Sequence, residues 1–188
     1  MKKIVKDALI LFAITLIAGV LLGFVHELTK EPIAKAQADA ANATYRAIFA
    51  EADSFEESPD LTEVAVACTA DETLQAFGSN VSVNNILYAK DESGEDIGYV
   101  IISSAKGYGG PVKIAVGVNA DGVITGLGFI TINETPGLGM KAKDDSFTSQ
   151  FAGMTDPDTM DAVSGATYTT KAVRAGVKAA LYCLENYL

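Results

Sequence analysis

The chain has 188 residues, and its 24 acidic and 14 basic side chains give a formal net charge of −10. Without the first 25 residues the balance is 23 acidic against 11 basic side chains, a surface that does not favour nucleic acid, because binding phosphates requires clustered Lys and Arg. With one histidine, His26, a Ser-His-Asp or Cys-His catalytic group is excluded everywhere except around that residue. Two cysteines are too few for a self-contained iron–sulfur cluster, which usually needs four thiolates.

An apolar segment near the N-terminus, Ala8–Val25, predicts a transmembrane helix. At about 1.5 Å per residue it spans roughly 27 Å, close to the roughly 30 Å of a hydrocarbon core. Lys2, Lys3 and Lys6 precede it, so we expect a cytoplasmic N-terminus and an extracytoplasmic main domain. A cleaved signal peptide is the alternative, but the small-residue segment at 34–36 lies too far from the apolar run for an ordinary cleavage site.

The next segment combines a predicted helix, an acidic loop and three predicted strands. Pro32 suits the first turn of a new helix that runs to about Phe49. The acidic stretch Glu51–Glu63 contains Pro59 and predicts a loop. The residues expected to face inward from the helix are Ile33, Ala36, Ala40, Ala43, Ala47 and Ile48. The predicted strands are Val64–Thr69, Ile86–Lys90 and Ile97–Ser103.

A β-hairpin is predicted in the second half of the chain. Two apolar runs, Val112–Asn119 and Val123–Ile132, are joined through Asp121-Gly122, a strong hairpin signal. Glycine-rich segments flank it on both sides, Gly107–Pro111 before and Glu134–Gly139 after. Both segments must lie at the same end of the hairpin, where two loops with few side chains form a shallow cleft for a flat ring. The alternative is two ordinary turns.

The string DAVSGAT, Asp161–Thr167, precedes a predicted amphipathic helix. We expect Ser164 to be its N-cap, and Lys171 to lie near the first turn. A helix N-terminus presents free N–H groups and a partial positive charge, both favourable to a phosphate. The alternative is a helix start without a ligand. A short helix is also predicted over Lys143–Phe151. The residues expected to face inward from the last helix are Val173, Val177, Ala180, Leu184 and Leu188.

The order of these elements predicts an α+β fold with a single transmembrane helix and an extracytoplasmic domain. Strands in a run with helices at both ends indicate a mainly antiparallel sheet flanked by helices. We divide the chain into a cytoplasmic tip and transmembrane helix at 1–28, a connecting helix and acidic loop at 29–63, and the main domain at 64–188. Cys68 and Cys183 permit a disulfide in an oxidising compartment but do not require one.

The two glycine-rich segments, the Asp121-Gly122 turn and Asp161–Thr167 together resemble the domain that binds flavin mononucleotide (FMN) in two families. These are the G subunit of the Rnf ion-translocating complex and the C subunit of the sodium-translocating NADH:quinone oxidoreductase. The short chain is more similar to the Rnf family. The resemblance implies that Thr167 is esterified to the FMN phosphate, and that Asp161 belongs to the motif read by a flavin transferase.

The resemblance further implies an electron carrier that is not a complete enzyme by itself. Its complex would couple electron transfer between ferredoxin and NAD to transport of Na⁺ or H⁺, and its partners would be multi-spanning subunits and a second covalent flavoprotein. A C-type quinone-reductase subunit, a stand-alone extracytoplasmic flavoprotein reductase and a flavin-free scaffold remain alternatives. No catalytic or metal-binding residue is predicted. The cofactor-binding residues predicted beside Thr167 are Asp161, Ser164, Gly165, Ala166, Lys171, Tyr108, Gly109, Glu134, Thr135, Gly137, Leu138 and Gly139.

Overall fold

A computed structural model describes residues 2–188 in two units, the first ending at Ala40 and the second spanning Ala41–Leu188. Short 3₁₀ turns lie at Gly139–Lys143, Ser149–Phe151 and Pro157–Thr159. The helices are α1 (Lys2–Ile48), α2 (Pro59–Ala70), α3 (Thr73–Phe77), α4 (Asp145–Thr148) and α5 (Thr167–Tyr187). The strands are β1 (Ser54–Glu57), β2 (Ser82–Lys90), β3 (Asp96–Lys106), β4 (Pro111–Asn119) and β5 (Ile124–Thr131).

The apolar part of α1 has no protein cover within the first unit. Its large side chains are at least half exposed, with Leu9 at 62% and Leu22 at 72%. Among the described helices, α1 alone is long and apolar enough to cross a membrane, with a mean hydropathy of 2.8 over its best 18 residues. This agrees, by length and composition, with the span predicted at Ala8–Val25.

The predicted helix break at Pro32 is wrong, because α1 continues through this residue. Proline removes one backbone donor, but the residues that follow it, such as Ala34 and Lys35, are strong helix formers. The inward face predicted for this helix is also wrong except at Ile48, since Ile33, Ala36, Ala40, Ala43 and Ala47 are exposed. In the part of α1 that belongs to the second unit, Tyr45 and Ile48 are the buried residues.

The sheet is a five-stranded antiparallel meander in the order β1-β2-β3-β4-β5. The predicted hairpin is confirmed: Val118 pairs with Ile124 across the turn, and Gly122 has a φ of 78°, in the left-handed region that favours glycine. The strands predicted at Ile86–Lys90 and Ile97–Ser103 are confirmed, the first as the C-terminal half of β2 and the second as most of β3. The α+β class is therefore confirmed.

The predictions for residues 51–69 are wrong. The expected loop contains β1 and the start of α2, and the expected strand Val64–Thr69 lies within α2. The buried residues Leu61, Ala65 and Cys68 are four and three positions apart, the spacing of one helix face. Pro59 occupies the first turn, where its missing N–H costs nothing. Helical periodicity decides the structure here over the strand preference of the valines.

Hydrophobic clusters cover both faces of the sheet, as β3 illustrates. Its residues Ile101 and Ala105 belong to the cluster that contains α2 and α5. The alternate residues Val100 and Ile102 belong to a second cluster with the end of α1. Successive strand side chains point to opposite faces, so one strand contributes to both layers.

Helix α5 lies close against the sheet at Gly176. The Ser103 hydroxyl of β3 donates a 2.8 Å hydrogen bond to the Gly176 carbonyl. A Cβ at Gly176 would lie 2.9 Å from both Ser103 Oγ and Ile114 Cδ1. This contact fixes the height of α5 above β3 and β4, and so the position of the residues at its N-terminus.

The other end of α5 is attached to the segment between α2 and α3 through Asp71. This carboxylate accepts hydrogen bonds from the Thr73 amide (2.8 Å) and from the hydroxyls of Tyr182 (2.7 Å) and Tyr187 (3.0 Å). Bonds from Thr73, and then from the two tyrosines, hold the pKa of Asp71 well below its usual range. The bond to Asp71 raises the pKa of Tyr187 to about 12.

Both cysteines are buried as free thiols, Cys68 on α2 and Cys183 on α5. Hydrogen bonding to Cys68, together with burial, raises the pKa of the Cys183 thiol. Both side chains belong to the same hydrophobic cluster and contribute to the packing of α2 against α5.

Candidate functional site

The site begins at the N-terminus of α5, where Ala166 is the N-cap and no side chain of the described residues caps the helix. The prediction that Ser164 is the N-cap is wrong. Gly165, with a φ of 77°, turns the chain between Ser164 and the helix, so the Ser164 side chain is exposed and lies outside the helix start. The first amides of an α-helix have no intrahelical acceptor, and here no side chain replaces one.

The loop before α5 is held in place by a buried residue that the sequence did not predict, Thr170. Its hydroxyl accepts a 3.0 Å hydrogen bond from the Val163 amide and donates one of 3.0 Å to the Ala166 carbonyl. The Ala166 amide closes the turn by donating to the Val163 carbonyl at 3.0 Å. These bonds fix the backbone immediately before Thr167.

Three threonines lie in the first turn and a half of α5, and they differ in exposure. Thr169 and Thr170 are 1% and 3% exposed, whereas Thr167 is exposed. Of these three threonines, Thr167 is therefore the one that is open to solvent and to a modifying enzyme.

Glu134 connects the two glycine-rich loops. Its side chain is 8% exposed and accepts hydrogen bonds from the amides of Tyr108 (2.9 Å) and Gly109 (3.3 Å). A Cβ at Gly107 would collide with this carboxylate, and one at Gly139 would lie 2.7 Å from the Glu134 Cβ and 2.6 Å from the Thr169 hydroxyl. Glycine at these positions lets the loops close around Glu134 and approach α5.

A pocket of about 470 Å³ lies between the two loops and the start of α5. Eight of the thirteen residues predicted from the sequence line it, and two unpredicted ones, Tyr168 and Thr169, complete the lining. The eight are Tyr108, Glu134, Thr135, Leu138, Gly139, Gly165, Ala166 and Thr167.

The other five predicted residues do not line this pocket. Asp161 and Ser164 line a separate cavity of about 250 Å³, where the Asp161 amide donates a 2.6 Å bond to Gln150. Lys171 lines a neighbouring groove. Gly109 and Gly137 belong to the two loops, and Gly137 has a φ of 75° that favours glycine.

Two exposed aromatic rings flank the pocket, Tyr108 at 72% and Tyr168 at 66% exposure. Their centroids are 6.0 Å apart and their planes are inclined by 45°. Large exposed rings beside a cleft offer apolar area to another flat ring. Tyr168 was not predicted as a site residue. Its position directly after Thr167 in the sequence is the signal that could have identified it.

The residues present fit FMN. The loops and tyrosines provide a pocket of the usual ligand size, about 300–1,000 Å³, with apolar walls. The N-terminus of α5 provides unpaired amides and a positive dipole end for a phosphate, and Thr167 provides a hydroxyl at the same place.

Comparison with known proteins identifies the family. Residues 107–182 match the FMN-binding domain family, and residues 1–48 match the RnfG N-terminal region. The G subunit of the proton-translocating ferredoxin:NAD⁺ oxidoreductase complex of Clostridium ljungdahlii is 30% identical, over 94% of this chain and 92% of its own. The chain belongs to the RnfG family.

Other RnfG relatives match over comparable lengths. The G subunit of the Na⁺-translocating ferredoxin:NAD⁺ oxidoreductase complex of Acetobacterium woodii is 30% identical over 98% of this chain and 93% of its own. The G subunit of the ion-translocating oxidoreductase complex of Methanosarcina acetivorans is 28% identical over 92% of this chain and 89% of its own. A crystal structure of NqrC from Shewanella oneidensis superposes with a TM-score of 0.49 at 20% identity, over 71% of this chain and 80% of that one.

The FMN-binding match contains the whole pocket of this RnfG family member. Both glycine-rich loops, the hairpin between them and Thr167 lie within residues 107–182. The resemblance stated from the sequence is therefore confirmed at the level of the family and of its FMN-binding domain.

Proposed function

We propose that this chain is the FMN-carrying electron-transfer subunit of an Rnf-type complex that couples ferredoxin:NAD⁺ oxidoreduction to ion translocation. The match to the FMN-binding domain family and the names of the relatives support this function. When bound, FMN accepts and donates one or two electrons, and the protein's part is to hold and orient it.

FMN attachment is proposed to be covalent, through a phosphoester to Thr167. The observation that carries this proposal is that Thr167 is the exposed threonine among the three at the start of α5 and lines the pocket. In the attachment step the Thr167 oxygen forms a bond to phosphorus and loses its proton. The bond from phosphorus to the leaving group of the flavin donor breaks, and that group takes the bonding electrons. A flavin transferase is the proposed catalyst.

Different groups of the chain are proposed to bind the phosphate and the flavin ring. The amides and the dipole of the α5 N-terminus stabilise the phosphate charge. Glu134 would repel a phosphate, but its carboxylate is engaged by the amides of Tyr108 and Gly109. Its structural part is to hold the loop that carries Tyr108 beside Tyr168, where the two rings would offer apolar surface to the flat part of a bound flavin.

Denaturing gel electrophoresis with ultraviolet detection tests the covalent bond. In cells that contain the flavin transferase, we expect a fluorescent band for the wild type and none for Thr167→Val, which removes the hydroxyl and keeps the shape. Thr131→Val removes an exposed threonine hydroxyl at the end of β5 that does not line the pocket, and this variant should keep the fluorescence. A fluorescent Thr167→Val band would overturn the assignment.

The proposed topology is a single pass with the N-terminus in the cytoplasm and the second unit outside. Three lysines before the apolar run support this orientation. Both native cysteines are buried, so a Ser93→Cys variant in the exposed β2–β3 turn provides one reactive thiol. A membrane-impermeant maleimide should label it in intact cells. Labelling only after lysis would place the domain in the cytoplasm.

The proposed partners are the multi-spanning subunits of the complex and a second covalent flavoprotein. Purification through a tag on this chain should recover those subunits in stoichiometric amounts. A solitary protein that reduces an external acceptor would instead support a stand-alone flavoprotein reductase.

A further inference from the structure

A groove of about 460 Å³ on one face of α5 concentrates positive charge in an acidic domain. Residues 41–188 contain 9 basic and 20 acidic side chains. Four of those nine basic side chains line this groove, together with one carboxylate, Asp158. The four are Lys106, Lys171, Arg174 and Lys178.

Most of this positive charge is unpaired. Lys178 Nζ lies 2.8 Å from Asp158 Oδ2, but within the described part of the chain the other three groups form no ion pair. The Nε atom of Arg174 is buried and has no hydrogen-bond partner among residues 2–188. A buried donor without an acceptor costs free energy. Arg174 lines the groove, so the terminal N–H groups of its guanidinium are the ones that can donate to an anionic oxygen there.

The groove adjoins the pocket described above, because Tyr168 lines both. Thr167 and Lys171 are one helical turn apart, about 6 Å along the axis. Whatever occupies the groove therefore lies beside the acceptor threonine, where a redox partner of the flavin would need to come close.

We propose that the groove docks an acidic segment of another subunit of the complex, and that this docking holds the electron-transfer partner next to the flavin. The inference rests on the proposed function for the position of the flavin. Charge complementarity identifies the occupant, since a net positive groove in an acidic domain selects a partner surface rich in carboxylates. Arg174 is the central contact, because its guanidinium can bind a carboxylate with two parallel hydrogen bonds.

The length of the groove favours an extended segment over a small anion. From Lys171 to Lys178 the basic groups on α5 extend about 10 Å along the helix. That length matches three residues of an extended chain at about 3.3 Å each. A single phosphate forms hydrogen bonds of about 2.7–2.9 Å and reaches only neighbouring groups in such a row.

Assembly of the complex tests the proposal. The full chain is expressed with the other subunits, the complex is captured through a tag on one of them, and the retained chain is measured against NaCl concentration. For the Lys106→Gln/Arg174→Gln double variant we expect at least about tenfold weaker retention at fixed salt. The matched control Lys143→Gln removes an exposed lysine outside the groove and should be retained like the wild type.

In-gel flavin fluorescence on the same samples separates this proposal from the proposed function. The double variant should keep its flavin and lose assembly, whereas Thr167→Val should lose the flavin and still assemble. Retention of the double variant at wild-type salt concentrations would overturn the docking site, and so would loss of its flavin. With the wild-type complex, a hexaglutamate peptide should release the chain at a concentration where inorganic phosphate of equal ionic strength does not. Equal release by phosphate would point to a small-anion site instead.

Discussion

Replacing Glu134 with alanine should loosen the glycine-rich loop at residues 107–110 without unfolding the domain. The carboxylate accepts hydrogen bonds from the Tyr108 amide at 2.9 Å and the Gly109 amide at 3.3 Å. The substitution removes both acceptors and also empties the space that the close approach of Gly107 and Gly139 leaves for this side chain.

The expected magnitude follows from the two bonds. A hydrogen bond to a charged group contributes about 1.5–3 kcal/mol, and the 3.3 Å bond is too long for the full value. Water replaces part of the loss, because Tyr108 and Gly109 lie in an exposed loop. We therefore expect about 2 kcal/mol of local stability to be lost, roughly a 30-fold change in the opening equilibrium. Glu134→Gln keeps one neutral acceptor and should lose about half as much.

Amide hydrogen exchange of the full chain in detergent, resolved by residue, measures this directly. The Tyr108 and Gly109 amides should exchange about 30-fold faster in Glu134→Ala than in the wild type, and about fivefold faster in Glu134→Gln. The Gly94 amide, which donates to the Asp91 carbonyl in a distant turn, is the internal control and should not change. If Tyr108 and Gly109 exchange in Glu134→Ala within twofold of their wild-type rates, the carboxylate does not hold the loop.

Four further predictions concern the packing of α5. Gly176→Ala should lower the free energy of unfolding by about 1–3 kcal/mol, since its Cβ would press on β3 and β4; an unchanged urea midpoint would contradict the close contact. Hydrogen bonds to Asp71 depress the pKa of its carboxyl group, so the stability that they give the folded chain is fully present above about pH 4. This stability is lost as the pH falls through the pKa of Asp71 in the folded chain. The hydrogen bond to Asp71 raises the pKa of Tyr187 to about 12, so the stability that this bond gives the folded chain is fully present below about pH 10 and is lost between pH 10 and 12. The melting temperature of the wild type should therefore fall over this range, and Tyr187→Phe should remove that fall. Iodoacetamide at pH 8 should modify neither Cys68 nor Cys183 in the folded chain and both in urea, because both thiols are buried; labelling without denaturant would show that α2 and α5 separate readily.

The parts of the fold that the sequence predicts correctly are those with strong local signals. Asp121-Gly122 between two apolar runs specifies the β4–β5 hairpin, and the apolar segment at Ala8–Val25 specifies a long helix. The failures have a local cause too. Val64–Thr69 contains β-branched residues that favour a strand, but Leu61, Ala65 and Cys68 share a helix face against the sheet. Tertiary burial outweighs local preference there.

The candidate site is predictable where chain order alone brings its parts together. The hairpin places the two glycine-rich loops side by side, so Tyr108 and Glu134 were expected near each other, as observed. The prediction of Ser164 as the N-cap failed because the positive φ of Gly165 and the buried hydroxyl of Thr170 decide where α5 begins. The N-cap preference of serine contains no information about either effect.

The basic groove was beyond prediction because its members come from distant parts of the chain. Lys106 ends β3, Asp158 lies in a 3₁₀ turn, and Arg174 is on α5. In the sequence these are isolated charges in an acidic chain, and they come close together only because α5 packs across the sheet.

Helix α5 thus connects the proposed attachment residue with the basic groove. The acceptor Thr167 begins α5, the groove extends along one side of it as far as Lys178, and its opposite face is buried against the sheet around Gly176. Thr167 and Lys178 are about 16 Å apart along the helix axis, a separation that α5 holds constant. Electron transfer requires a partner close to the cofactor, and the helix fixes the distance from the attachment residue to the α5 side of the groove, while the two glycine-rich loops complete the pocket beside it.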